Sequence, residues 1–154
     1  MPSFEEASKA DRRSAMIQSK RQLRGACHCG NIRFVFATDK TDAELPKREC
    51  QCTFCLQHGR ISTSDPDGEI RITAETPENL NKYRFGHRSA DYCVCRERGA
   101  IPTVTSEVDG TTICLVDSPT IQGFASPRTA PTPHNRPAAR KTRAQGKRAD
   151  PAGP

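Results

Sequence analysis

Gly25-Ala-Cys27-His-Cys29-Gly30-Asn-Ile32-Arg-Phe34-Val-Phe36 carries two signals at once. A close pair of thiols comes first, with Gly30 free to let the backbone turn sharply around a metal. Ile32, Phe34 and Phe36 then alternate with Asn31, Arg33 and Val35, the period of two that marks a half-buried strand. Thiols in a turn and apolar residues on alternate positions of a strand predict a small β domain held partly by metal.

The same alternation recurs along the chain. Gly68–Ala74 repeats it through Ile70 and Ile72, and Tyr83 and Phe85 form a third short run. Val104–Val108 and Thr111–Val116 flank Asp109-Gly110, a two-residue hairpin signal. Thr76–Lys82, with Pro77 near its start, reads as one brief helical turn. The expected fold class is mainly β, a single small zinc-binding domain over residues 23–124. A polar lead-in, 1–22, precedes it. Ser3 and Glu6 stand there at capping-box spacing, consistent with a weak helix through about Met16.

The eight cysteines fall as Cys27-x-Cys29, Cys50-x-Cys52-x2-Cys55, Cys93-x-Cys95 and a lone Cys114. Residues 1–20 contain no apolar run fit for a signal-peptide core, so a reducing, cytoplasmic setting is expected, where disulfides are rare. Zinc, with its tetrahedral preference for sulfur, is therefore expected over a disulfide framework. Cys27, Cys29, Cys93 and Cys95 are enough for one closed four-thiolate shell, which is structural. Cys50, Cys52 and Cys55 supply three ligands and leave a fourth position open, the arrangement of a catalytic zinc. Three thiolates give a centre of net charge −1, better suited to a bound sulfur nucleophile than to activating water. His58 is a further candidate ligand or proton carrier. His28 and Cys114 read as a turn residue and a small buried hydrophobe. Lys47, Arg48 and Arg60 flank the open site and are candidates to attract an acidic thiol, with solvated surface as their ordinary role.

Composition narrows the partners. The apolar fraction is 34% of 154 residues, and no stretch approaches the ~20 apolar residues of a membrane-spanning helix. The net charge of +6 belongs to residues 125–154, where seven basic residues face Asp150 alone. That segment holds six of the twelve prolines and no Leu, Ile, Val, Met, Phe, Tyr, Trp or Cys. A segment unable to bury apolar surface cannot offset its ordering entropy, so this basic Pro/Ala-rich tail is expected to be disordered. Contact with nucleic acid is conceivable only there, and no aromatic is interleaved for base stacking.

Three stretches in order, Gly25-Ala-Cys27-His-Cys29-Gly30-Asn-Ile-Arg33-Phe34, Cys50-Gln-Cys52-Thr-Phe-Cys55 and Tyr92-Cys93-Val-Cys95-Arg-Glu-Arg98-Gly99-Ala100, resemble the glutathione-dependent formaldehyde-activating (GFA) family. Centromere protein V-like proteins share its domain. The resemblance covers about residues 23–117. It implies an Mss4-like β fold, one structural and one catalytic zinc, and carbon–sulfur lyase activity of the S-(hydroxymethyl)glutathione synthase kind. The partners implied are a small thiol such as glutathione and an aldehyde. Cys27, Cys29 and Cys95 match structural ligands, and Cys50, Cys52 and Cys55 match catalytic-zinc ligands. The chain departs from the family at Arg98, where the pattern has a cysteine; arginine stays protonated and does not ligate zinc. Either Cys93 completes the structural shell or that shell is impaired. The rival to an enzyme is a non-catalytic zinc scaffold or degenerate relative whose basic tail contacts a partner.

Overall fold

The computed structural model describes Ala15 and residues 18–125. Most of the expected lead-in, and the tail beyond Ala125, lie outside the described residues. What is described is mainly β, as the alternation predicts. The first sheet has three antiparallel strands in the order β1 (Arg21–Ala26), β2 (Ile32–Thr38), β5 (Glu69–Ala74). Six antiparallel strands form the second, in the order β3 (Arg48–Glu49), β4 (Ile61–Thr63), β9 (Thr111–Asp117), β8 (Thr103–Val108), β7 (Ala90–Cys95), β6 (Leu80–Tyr83). A helix, α1 (Thr53–His58), joins β3 to β4. The brief helical turn expected at Thr76–Lys82 is a 3-10 turn at Pro77–Asn79, after which the chain enters β6.

Alternation sets the core. Phe34 and Phe36 of β2 face inward with Leu23, and Val116 of β9 meets them from the second sheet. Leu45 and Ile121 close the cluster, with Ile70, Ile72 and Phe124 packed against it. Each such side chain contributes about 1.5–3 kcal/mol by leaving water. The other face of the first sheet presents Arg24, Val35 and Arg71 in one cross-strand row. The expected hairpin forms: Val108 pairs with Thr111 across Asp109-Gly110.

Gly25 is fixed by close approach. A Cβ there would lie 2.2 Å from Cζ of Phe34 and 2.6 Å from the Thr120 carbonyl oxygen. Neither can move freely, because the Phe34 ring is buried and the Thr120 segment is tied back by the Gly25–Ile121 bridge. Gly25→Ala is therefore expected to cost about 1–3 kcal/mol by overpacking. Chemical denaturation would check this, and an unchanged midpoint would mean that the Ser118–Thr120 turn yields easily.

Candidate metal centres

The first centre joins the two sheets. Cys27 and Cys29 lie in the turn between β1 and β2, and Cys95 is the last residue of β7. Their Sγ atoms converge: Cys27 to Cys29 is 3.5 Å and Cys29 to Cys95 is 3.4 Å. These separations exceed the ~2.05 Å of a disulfide and approach the roughly 3.8 Å edge of a tetrahedron with 2.3 Å zinc–sulfur bonds. Cys27, Cys29 and Cys95 all lie within 4.8 Å of one another through their sulfur atoms. The thiol set fits zinc.

Two turns build this centre, each with a glycine N–H bonded back to its cysteine carbonyl, three residues on in the first and four in the second. In the first, Cys27 N–H bonds to the Ile32 carbonyl at 2.9 Å and Gly30 N–H to the Cys27 carbonyl at 2.9 Å. In the second, Cys95 N–H bonds to the Ala100 carbonyl at 2.9 Å and Gly99 N–H to the Cys95 carbonyl at 2.7 Å. Gly30 and Gly99 both take the left-handed backbone, at φ 81° and 67°, that glycine adopts without strain. Backbone N–H groups also aim at sulfur: Ile32 N–H lies 3.2 Å from Cys27 Sγ. The Asn31 N–H, and then the Cys95 thiol, pull the Cys29 pKa below the ordinary thiol value. Such donors hold thiolates ready for a cation.

Cys93 joins neither thiol group. It is buried in β7 opposite Lys82 and Thr103, and burial raises its thiol pKa. Of the two alternatives for the first shell, completion by Cys93 or impairment at Arg98, this placement supports the second. Two residues along a strand advance about 6.6 Å, nearly twice a tetrahedral edge. Cys-x-Cys pairs converge when they sit in turns, as Cys27 and Cys29 do, and diverge along an extended strand. Cys114 sits on β9, with β8 between it and the strand of Cys93, and burial pushes its thiol up to about 12.

The second centre is local. Cys50 follows β3, Cys52 caps α1, and Cys55 sits in its first turn. Cys55 N–H points at Cys52 Sγ from 3.4 Å, so the cysteine caps the helix where a serine often would. The three sulfur atoms lie within 4.8 Å of one another, and no other His, Cys, Asp or Glu among the described residues joins them. The Cys50 and Cys55 thiols hold Cys52 well below the ordinary thiol pKa, while donating to Cys52 raises Cys50. A metal binding there would displace the protons that remain on the three thiols.

Aromatic side chains wall this centre. Phe54 lies 5.2 Å from Tyr83, 5.0 Å from Phe85 and 4.9 Å from Tyr92, centroid to centroid. Tyr92 is buried, and burial followed by the neighbouring thiolates raises its hydroxyl pKa. His58 is exposed, bonds through Nδ1 to the Phe54 carbonyl at 2.8 Å, and stays outside the thiol group. Arg48 donates to Ser64 Oγ at 2.9 Å, and Lys47 lies over the Phe124 ring. Arg60, for which sequence suggests solvated surface, is 6% exposed, with Nη1 3.9 Å from Cys55 Sγ. A charge beside Gly59 at the end of a short helix gave no sign of burial.

No protein-family model matches the chain, and no curated protein matches it. The crystal structure of a Rhodobacter sphaeroides protein is similar, with a TM-score of 0.52 and 27% identity over 65% of this chain and 88% of that one. No helix among the described residues is long and apolar enough to cross a membrane.

Proposed function

We propose that the protein is a zinc-dependent carbon–sulfur lyase of the GFA family, joining a glutathione-type thiol to an aldehyde at Cys50, Cys52 and Cys55 in the cytoplasm. The observation that carries this reading is the convergence of those three thiols, without a fourth ligating side chain from the described residues, inside an aromatic wall. The motifs resembling the family support it, as does the mainly β scaffold that carries both thiol groups. Cys50, Cys52 and Cys55 would hold zinc, which would supply a Lewis acid able to keep an incoming thiol deprotonated near neutral pH. In the reaction the thiol loses its proton, its sulfur bonds to the carbonyl carbon, and the carbonyl oxygen takes up a proton.

The chain's own residues divide the remaining work. Phe54, Phe85 and Tyr92 exclude water, which strengthens every charge interaction near the sulfurs. Tyr92 keeps its proton at neutral pH, so it serves as a hydrogen-bond donor and not as a base. Arg60 offsets part of the negative charge that three thiolates place on the centre.

Cys52→Ser separates catalysis from folding, because the serine oxygen keeps the helix cap while removing a sulfur ligand. Adduct formation from glutathione and formaldehyde, followed by NMR exchange spectroscopy, should fall to the uncatalysed rate. The melting temperature should move by roughly a few degrees, as for a change of about 1 kcal/mol. Full acceleration by the variant, or none by the parent chain, removes the proposal.

A further inference from the structure

Both turns of the first centre carry a left-handed glycine, Gly30 bonded back to Cys27 and Gly99 bonded back to Cys95, but they differ in the residue before it. In one, a cysteine, Cys29, stands directly before the left-handed glycine; in the other that place belongs to Arg98, before Gly99. Arg98 is exposed and cannot ligate, and no His, Cys, Asp or Glu among the described residues supplies a fourth donor. Cys29 is itself exposed, unlike Cys27 and Cys95. The gap in the shell therefore faces solvent.

A cleft of about 600 Å³ on the outer side of the first sheet adjoins the Cys27–Cys29 turn, where the exposed Cys29 lies. Arg24, Arg33 and Arg71 line it together with His28 and the Cys27–Cys29 turn, and no acidic side chain does. Arg33 is anchored by Nε to the Gly30 carbonyl at 2.7 Å, which fixes one guanidinium beside the thiol turn, and pairs with Glu75 at 3.1 Å. Three thiolates on a divalent cation carry net charge −1 and would repel an anion on their own. A basic cleft reverses that preference. A thiolate-rich shell in turn favours a soft donor.

We propose that Cys27, Cys29 and Cys95 form an open three-thiolate metal centre whose fourth position takes a small anionic thiol held in the arginine-lined cleft. This assigns a ligand site where the family resemblance implies a closed structural shell. It is independent of the lyase reading, because it concerns the other thiol group and its test measures no turnover.

Cobalt(II) tests it through ligand-to-metal absorption in the full chain. The Arg98→Cys variant should show the intensity of one additional thiolate per chain, whereas the second centre contributes equally to both proteins. Titration with 3-mercaptopropionate should shift the parent's ligand-field bands, and Arg98→Cys should abolish that part of the shift. Cysteamine, a cationic thiol, should bind about tenfold more weakly than 3-mercaptopropionate. Arg24→Glu with Arg71→Glu should remove this preference. Equal thiolate intensity in parent and Arg98→Cys overturns the proposal, since the shell would then be filled or Arg98 would not adjoin it. A 3-mercaptopropionate shift that persists in full in Arg98→Cys assigns the ligand to the second centre and also overturns it. Equal binding of the two thiols overturns the role of the cleft.

Discussion

Removing metal from the full chain with a chelator, under reducing conditions, is expected to destabilise it more than any single substitution outside the thiols. The third core cluster shows why: its buried members are Cys27, Ile32 and Cys95, with Ile72, Leu80 and Ala100 packed against them. Two of its three central residues belong to the first thiol group, and together they tie the first sheet to the end of β7. Without a cation, those sulfurs are left as neighbouring thiols and thiolates with only weak hydrogen bonds between them. Structural zinc contributes on the order of 10 kcal/mol in small zinc peptides, comparable with a whole domain's margin. Three protein ligands in place of four bring less, yet still a large fraction of that margin. Thermal melts followed by circular dichroism should show a broad, much lower transition after chelation, restored by zinc. Cys95→Ser should reproduce most of the loss, and Cys114→Ser little of it, because Cys114 lies outside both thiol groups. A chain shown by elemental analysis to be metal-free and melting unchanged would place the stability in the apolar clusters alone.

Particular residues explain what could be read in advance. β2, β5 and the β8–β9 hairpin were legible because each carries its own local signal, alternation in the first two and Asp109-Gly110 in the third. α1 was not. Six residues make less than two turns, too few for a periodicity, and its only marks are the Cys52 cap and Gly59 behind it. β3 and β4 are two and three residues long and exist through their partners. The local thiol group Cys50, Cys52 and Cys55 was legible from spacing alone. The other was legible only in part, because Cys29 meets Cys95 across 66 positions through the packing of two sheets. Spacing suggested Cys93 for that shell, and strand geometry directs it elsewhere. The burial of Arg60 had no sequence signal at all, since it depends on Asp117 arriving from β9.

Arg60 is expected to be the most sensitive position outside the thiols. Its side chain is 5% exposed, and its Nε lies 3.8 Å from Oδ1 of Asp117, whose side chain is 14% exposed. The guanidinium carbon also sits 5.7 Å from the centroid of the Tyr92 ring. At 3.8 Å the ion pair lacks a hydrogen bond, and Nε, Nη2 and Asp117 Oδ1 have no hydrogen-bond partner among the described residues. Burial outweighs the attraction of Arg60 and pushes the Asp117 pKa up to about 6. Arg60→Met removes the charge that opposes Asp117 and leaves the carboxylate buried, a loss of about 3–5 kcal/mol near neutral pH. Adding Asp117→Leu should recover most of it, because two apolar side chains need no solvation. The sign of the pH dependence follows from the raised pKa. Folding takes up a proton on Asp117 between about pH 4 and pH 6, so this group's contribution to stability falls as pH rises through that window. Below it the carboxyl is neutral in both states, and the penalty of Arg60→Met should shrink. Denaturation midpoints of parent, single and double variants, each taken at pH 5 and pH 7.5, test both statements. A penalty independent of pH, with no recovery in the double variant, would mean that Arg60 acts through Cys55 and Tyr92 and not through Asp117.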